Sequence, residues 1–296
     1  MAHLGDPFAH GPGLTCALLL ASAPALAQED ASSAAPAIIV TAPPEPTART
    51  VHRQARGITK QTNVYRSPMA RFQRPVCPGI IGLPVEPALT MVARIRLNAE
   101  RVGLTVADPE TCAPNVIVMF ARDGRAQINR LAHTEHSLFA GLYRPQRRQL
   151  LASPGPVWAW SITSLRPLEQ PGASRMYLNV RRDIELSMVV IDLEAARGMS
   201  LEQLADYATM RSLALTRPPP GETNPATILS LFEADGGFPR ELTDFDIAYL
   251  RSVNSSHDGL RAASKLGKVI SKYRDIAEEQ KALDEGTPGV QPDSGD

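Results

Sequence analysis

The sequence has few aromatic residues, 5% of 296, and only three cysteines. So few cysteines exclude a small fold built from disulfides. Neither sign of charge dominates. Thirty-one Lys and Arg face 31 Asp and Glu, which leaves no electrostatic footprint for nucleic acid. No apolar run reaches the roughly 18–20 residues that cross a bilayer. The motifs H-E-x-x-H, G-x-S-x-G, G-x-G-x-x-G, the phosphate loop and C-x-x-C are all missing, and with them the familiar signatures of metallopeptidases, serine hydrolases and nucleotide enzymes. A hydrophobic content of 43% is nevertheless too high for a disordered chain.

What is present begins with an address. An apolar stretch runs from Leu14 to about Leu26 and ends in Ala25-Leu26-Ala27, an A-x-A cleavage pattern. Residues 1–27 read as a signal peptide, with a mature start near Gln28. The segment before the apolar stretch carries His3, His10 and Asp6 but no Lys or Arg, as a start codon assigned upstream of the true one would produce. Cys16 lacks the small residues before it that lipid attachment needs. Removal of residues 1–27 leaves 31 basic and 30 acidic side chains and two cysteines, Cys77 and Cys112. An even pair in an exported chain favours a disulfide over two buried thiols. It would close a 35-residue loop. The expected location is periplasmic or secreted, with no transmembrane helix after signal removal.

Residues 28–74 read as a linker, mostly disordered, Pro/Ala-rich at first and then basic. Within it Ile38, Ile39 and Val40 form a β-prone patch, a possible contact segment that could add a strand to a partner's sheet edge. The basic part, 51–75, reads as solvated.

The globular domain is expected over 75–255. Apolar spacing from Ala88 to Val102 predicts a helix that starts at Pro87 and stops at Gly103. A short strand, Leu104–Ala107, should follow. Val116–Phe120 is a continuous apolar run and so a buried strand. Ile128, Leu131, Leu138 and Leu142 predict a second helix ending near Gly141. In 157–163, Trp158, Trp160 and Ile162 should share one face of a strand as packing residues. Two strands are expected at Tyr177–Val180 and Leu186–Leu193. Ser200 and Gln203 form a capping box for a helix to about Leu215. A short helix is expected over Ala226–Glu233. Thr243 caps another, Asp244–Val253. An amphipathic helix closes the chain over 256–283, and 284–296 is a disordered tail. The fold class is α+β (or α/β), a single globular domain with a mixed sheet, helices packed on it and a helical C-terminal part.

Few residues suggest chemistry. His133 and His136, flanking Glu135, can share a helix face, but a metal needs a third ligand, and His257 or Asp192 has no positional support. The expectation is no metal and no cofactor. Asp192 and Glu194 follow a buried strand and read as loop caps. Ser161 and Ser187 have no base beside them. Glu233–Asp246 lacks the carboxylate spacing of a calcium loop.

The strand Leu186–Leu193, the helix Leu201–Leu215, the segment Thr227–Phe232 and Leu242-Thr243-Asp244-Phe245-Asp246 together resemble zinc metallopeptidases of the zincin type in element order. The resemblance covers about residues 180–255 and extends to secreted proteobacterial members of uncertain function. It implies a zincin-like fold. Its catalytic residues do not carry over. Asp206, Tyr207 and Met210 stand where the first His, the Glu and the second His would be. A tyrosine of ordinary pKa about 10 cannot take the carboxylate's place as base, and Met is a poor zinc ligand. The sequence therefore points to a non-catalytic exported binding domain, its partner a protein, peptide or envelope component. The alternatives are a metal-dependent hydrolase with an atypical site and a peripheral envelope structural protein held by the basic segment.

Overall fold

Val51, Ala55 and Ile58 recur at helical spacing among basic residues, and all three are buried. They give the first helix, α1 (Ala48–Ile58), capped by Thr47, whose hydroxyl accepts from the Thr50 N–H. Here the structure departs from the sequence reading. The basic segment belongs to the domain, because one helical face is apolar and its arginines lie on the other. The computed structural model describes residues 46–61, 63–169, 177–221, 223–233, 238–255 and 258–286. The signal segment, Ile38–Val40, His257 and the end of the tail lie outside the described residues.

Five strands form one mixed sheet: β1 (Ala70–Arg71), β2 (Pro78–Ile81), β3 (Val116–Ala121), β4 (Val157–Pro167) and β5 (Val180–Asp192). β5 is the long central strand. β3 pairs with it in parallel over Ser187–Asp192, and β1 pairs in parallel at Arg182 and Asp183. β2 lies parallel to β3 at the sheet's edge, and β4 runs antiparallel along the other side of β5. The two strands expected near 177–193 are one continuous strand from Val180. Tyr177 lies before this strand and forms an isolated antiparallel bridge with Leu260. The strand expected at Leu104–Ala107 is a single parallel bridge, Val76 to Val106.

Alternation along the strands feeds two cores. Val116, Val118, Phe120, Val189 and Ile191 pack with α2 (Val85–Arg101) and α5 (Leu201–Leu213). Trp158, Trp160, Met188 and Val190 pack with Ile128 and Leu131 of α3 (Gly124–Thr134) and with Phe139. Trp160 stacks on Phe139 at 4.9 Å and donates from Nε1 to the Leu138 carbonyl at 2.7 Å. The tryptophan stripe is core, as its spacing implies.

Helix boundaries follow the caps. α2 ends before Gly103, at φ +83°. The Ser200–Gln203 box opens α5, and a Thr243–Asp246 box opens α6 (Asp244–Val253). α3 stops at Thr134, and the apolar residues beyond it belong to a 3-10 turn, His136–Phe139. A further helix, α4 (Arg144–Ala152), is largely polar and starts where Pro145 favours a first turn. Over Ala226–Glu233 only a 3-10 turn forms, Ile228–Ser230. The last helix is two, α7 (Ala262–Gly267) and α8 (Val269–Gly286), divided at a glycine.

Cys77 and Cys112 form a disulfide that ties the start of β2 to the loop before β3. Among the described residues no helix is long and apolar enough to cross a membrane. The whole is an α/β domain, with α5 buried on nearly every side from Leu204 to Leu213.

Candidate functional site

β2 and β3 end side by side, and the chain turns sharply after each. After β2, Gly82 adopts φ +90°, and a Cβ there would stand 2.1 Å from the Phe120 carbonyl oxygen. Only glycine fits so close a crossing. After β3, Asp123 caps α3, accepting from the Ala126 N–H at 2.8 Å. Asp192, at the end of β5, accepts the Gly124 N–H at 2.9 Å and the Glu194 N–H at 3.0 Å. Both carboxylates are thereby helix or loop caps, which complement the helix dipole.

Between these turns lies an open cleft of about 330 Å³. Ile81, Met119, Phe120 and Ala126 form its apolar walls, and Arg122, Asp123, Gln127 and Arg130 its polar ones. This is the low end of the range for ligand pockets, large enough for one or two side chains. It sits at the carboxyl ends of parallel strands, where open α/β sheets place their ligands. Gln127 donates to the Met119 sulfur at 3.4 Å. Arg122 and Arg130 are exposed, with no ion-pair partner among the described residues.

The end of β2 and one face of α2 expose apolar side chains. Ile81 is 48% exposed, Val85 71% and Leu89 58%. Val85, Leu89, Ala93 and Leu97 follow one another at four-residue spacing along α2, all exposed. Outside β2, the parallel bridge to Val106 covers Val76. No described strand pairs with the outer side of Gly79–Ile81.

The residues singled out by sequence lie elsewhere. His133, Glu135 and His136 are exposed, and His133 Nδ1 meets the Asn129 carbonyl at 2.6 Å. Glu194 pairs with Arg197 on the surface. Ser161 and Ser187 share a buried hydrogen bond of 2.8 Å, and Ser187 donates onward to the Ser212 carbonyl. Among the described residues, no group of three or more His, Cys, Asp or Glu stands close enough to hold a metal ion.

Asp206, Tyr207 and Met210 lie on α5 and are fully buried. Asp206 accepts from Arg94 Nε and Nη2, both at 2.8 Å, from Asn98 Nδ2 at 2.6 Å and from the Leu242 N–H at 2.8 Å. Its hydrogen bond to Arg94 raises that guanidinium's pKa further. The Tyr207 hydroxyl accepts from Arg211 at 2.7 Å, and burial raises its pKa. Met210 is apolar core. These side chains join α5 to α2 and to the turn before α6.

Sequence reasoning missed the cleft and its two arginines. The local signals were a glycine directly after the β2 run and an Asp-Gly directly after the β3 run. Both mark turns, but neither says that a cleft lies between the two. Compared with known protein families, curated proteins and solved structures, the chain matches none.

Proposed function

We propose that this chain is an exported, non-catalytic binding domain whose cleft receives an extended peptide segment of a partner, apolar and acidic in alternation. The observation that carries this reading is the pair of unpaired arginines, Arg122 and Arg130, beside the apolar walls of a cleft next to an open strand edge. A segment laid along Gly79–Ile81 would gain main-chain hydrogen bonds, as in strand addition. Alternate side chains would then face opposite sides of the sheet, those on one side turned towards the cleft and its arginines. The lining holds no Ser, Cys, His or Lys, and its one carboxylate, Asp123, is engaged as a helix cap. Binding therefore suits this surface better than bond cleavage. The β5–α5 succession is what supports a zincin-like fold, with Asp206 serving structure. The A-x-A site and the disulfide support a periplasmic or secreted location.

The test is selection from a displayed random-peptide library on the mature, oxidised protein. Enriched peptides should alternate apolar residues with Asp or Glu. Their affinity should fall at least about tenfold in Arg122→Glu/Arg130→Glu, where attraction becomes repulsion. Enriched peptides without acidic residues, or equal affinity for the variant, would refute the reading.

A further inference from the structure

At the opposite end of β5 from the cleft lies a notch of about 10 Å³ whose lining includes four basic residues, Arg71, Arg181, Arg182 and Lys265. A space this small holds one water or one oxygen of a larger group. Two of the cations are answered. Arg71 pairs with Asp258 at 2.6 Å and donates to the Asn254 carbonyl at 3.0 Å, and Arg181 pairs with Asp183 at 3.1 Å. The other two are not. Arg182 donates one weak bond to Thr163, at 3.4 Å, and its Nε is buried with no hydrogen-bond partner among the described residues. Lys265 is 2% exposed and has no carboxylate of its own. Its ammonium donates to the Val253 carbonyl at 2.6 Å and the Ser255 carbonyl at 3.1 Å, leaving one of its three protons unused. Beside them Asn254, 5% exposed, has neither amide atom hydrogen-bonded.

Buried donors left open in this number are costly, and native proteins fill such places with water, an ion or a ligand. Four positive groups against two carboxylates select an anion. We propose that the notch is an oxyanion site, distinct from the cleft, which takes one oxygen of a phosphate- or sulfate-type group on the open Nε of Arg182 and leaves the rest of the group at its mouth.

The surroundings agree with this chemistry. Arg74 and Arg166 lie exposed on the same end of the sheet, sharing Glu185. Burial and the neighbouring Arg71 lower the Lys265 pKa to about 7, Asp258 opposing and Lys268 adding to the effect. An anion seated there would draw a proton onto the amine.

The same headgroup chemistry occurs in free oxyanions and in acidic lipids, and two arms separate them. In the first, the mature oxidised protein is titrated with sulfate, which stays ionised throughout, and followed by amide NMR. Saturable shifts should be confined to residues around Met69–Gln73, Arg181–Asp183 and Asp258–Lys265. Arg182→Gln should weaken binding about tenfold or more, the effect of losing one charge-assisted hydrogen bond. Arg166→Gln should change it less than about twofold. In the second arm, flotation compares phosphatidylcholine vesicles with and without phosphatidylglycerol. Sulfate binding alone assigns a soluble oxyanion. Vesicle binding alone, lost in Arg182→Gln, assigns a lipid headgroup. Lys265→Met removes a buried group, so its folding is checked by circular dichroism, and Arg182→Gln carries the test if it fails. No binding in either arm, or binding indifferent to Arg182, overturns the proposal.

Discussion

Two kinds of buried polar centre occur in this fold. In the helical layer, Asp206 and Asp246 are both fully buried, and each accepts four hydrogen bonds. Around the notch, Arg182 Nε and the Asn254 amide have no hydrogen-bond partner among the described residues, and Lys265 makes two of a possible three bonds. The first kind is saturated and holds elements together: α2 to α5, and the 3-10 turn to α6. The second is unsaturated and leaves room for a ligand. The difference separates scaffold from site without appeal to residue type. Asp206 stands in the sequence where the resemblance would put a zinc-binding His, and its partners in the fold join it to α2 and to the turn before α6.

The comparison is broken most severely by removing the cation from the saturated pair. Arg94→Met leaves Asp206 charged, buried and half-paired, and should cost about 3–5 kcal/mol in denaturant unfolding. Sulfate and peptide binding by the folded fraction should not change. Next comes the disulfide. Cys77→Ala/Cys112→Ala releases a 35-residue loop and should cost about 3–4 kcal/mol in the chain-entropy model. It should also loosen the open edge of β2 that begins beside Cys77.

Asp246 gives a smaller effect with a signature in pH. Burial pushes its carboxyl up from the ordinary 3.8 to about 6, although Ile228, Thr227 and Thr243 all donate to it and pull it down. Between about pH 4 and 6 the folded chain holds a proton that the unfolded chain has released. The stability due to this group therefore increases as pH falls from about 6 to about 4, and diminishes as pH rises through that window. Asp246→Asn should remove the trend and cost about 1–3 kcal/mol, because its amide N–H₂ meets donors. The check is the gap between wild type and variant, which should be widest near pH 4 and narrow towards pH 7. An unchanging gap would mean that the carboxyl is ordinary.

How much of this was legible in the chain depends on distance along it. The strands β3 and β4, the Ser200–Gln203 capping box, the Thr243 cap and the disulfide were readable, because a bounded apolar run, period-two alternation, Ser-x-x-Gln, a Thr before early acids and an even cysteine pair are local signals. The start of the domain was not. Eight basic residues between Arg49 and Arg74 hid the apolar stripe of Val51, Ala55 and Ile58, and net composition outweighed periodicity. α4 was missed because Leu150 is its only buried residue. The sites were least legible. Arg94 and Asp206 are 112 positions apart, and Arg182 and Lys265 line one notch only because β5 and α7 reach the same end of the sheet. The cleft lies between the turns at Gly82 and Asp123, after which α2 and α3 pack in different cores, and no short window of sequence contains both turns.

The most direct test of the account is the affinity of one enriched peptide for the wild-type protein and for Arg122→Glu/Arg130→Glu, measured by calorimetry beside the thermal stability of each. The account predicts a loss of about tenfold or more in affinity, with stability changed by no more than about 0.5 kcal/mol, since both side chains are exposed and unpaired. Equal affinity in two equally stable proteins would contradict it, and would place partner binding away from the cleft.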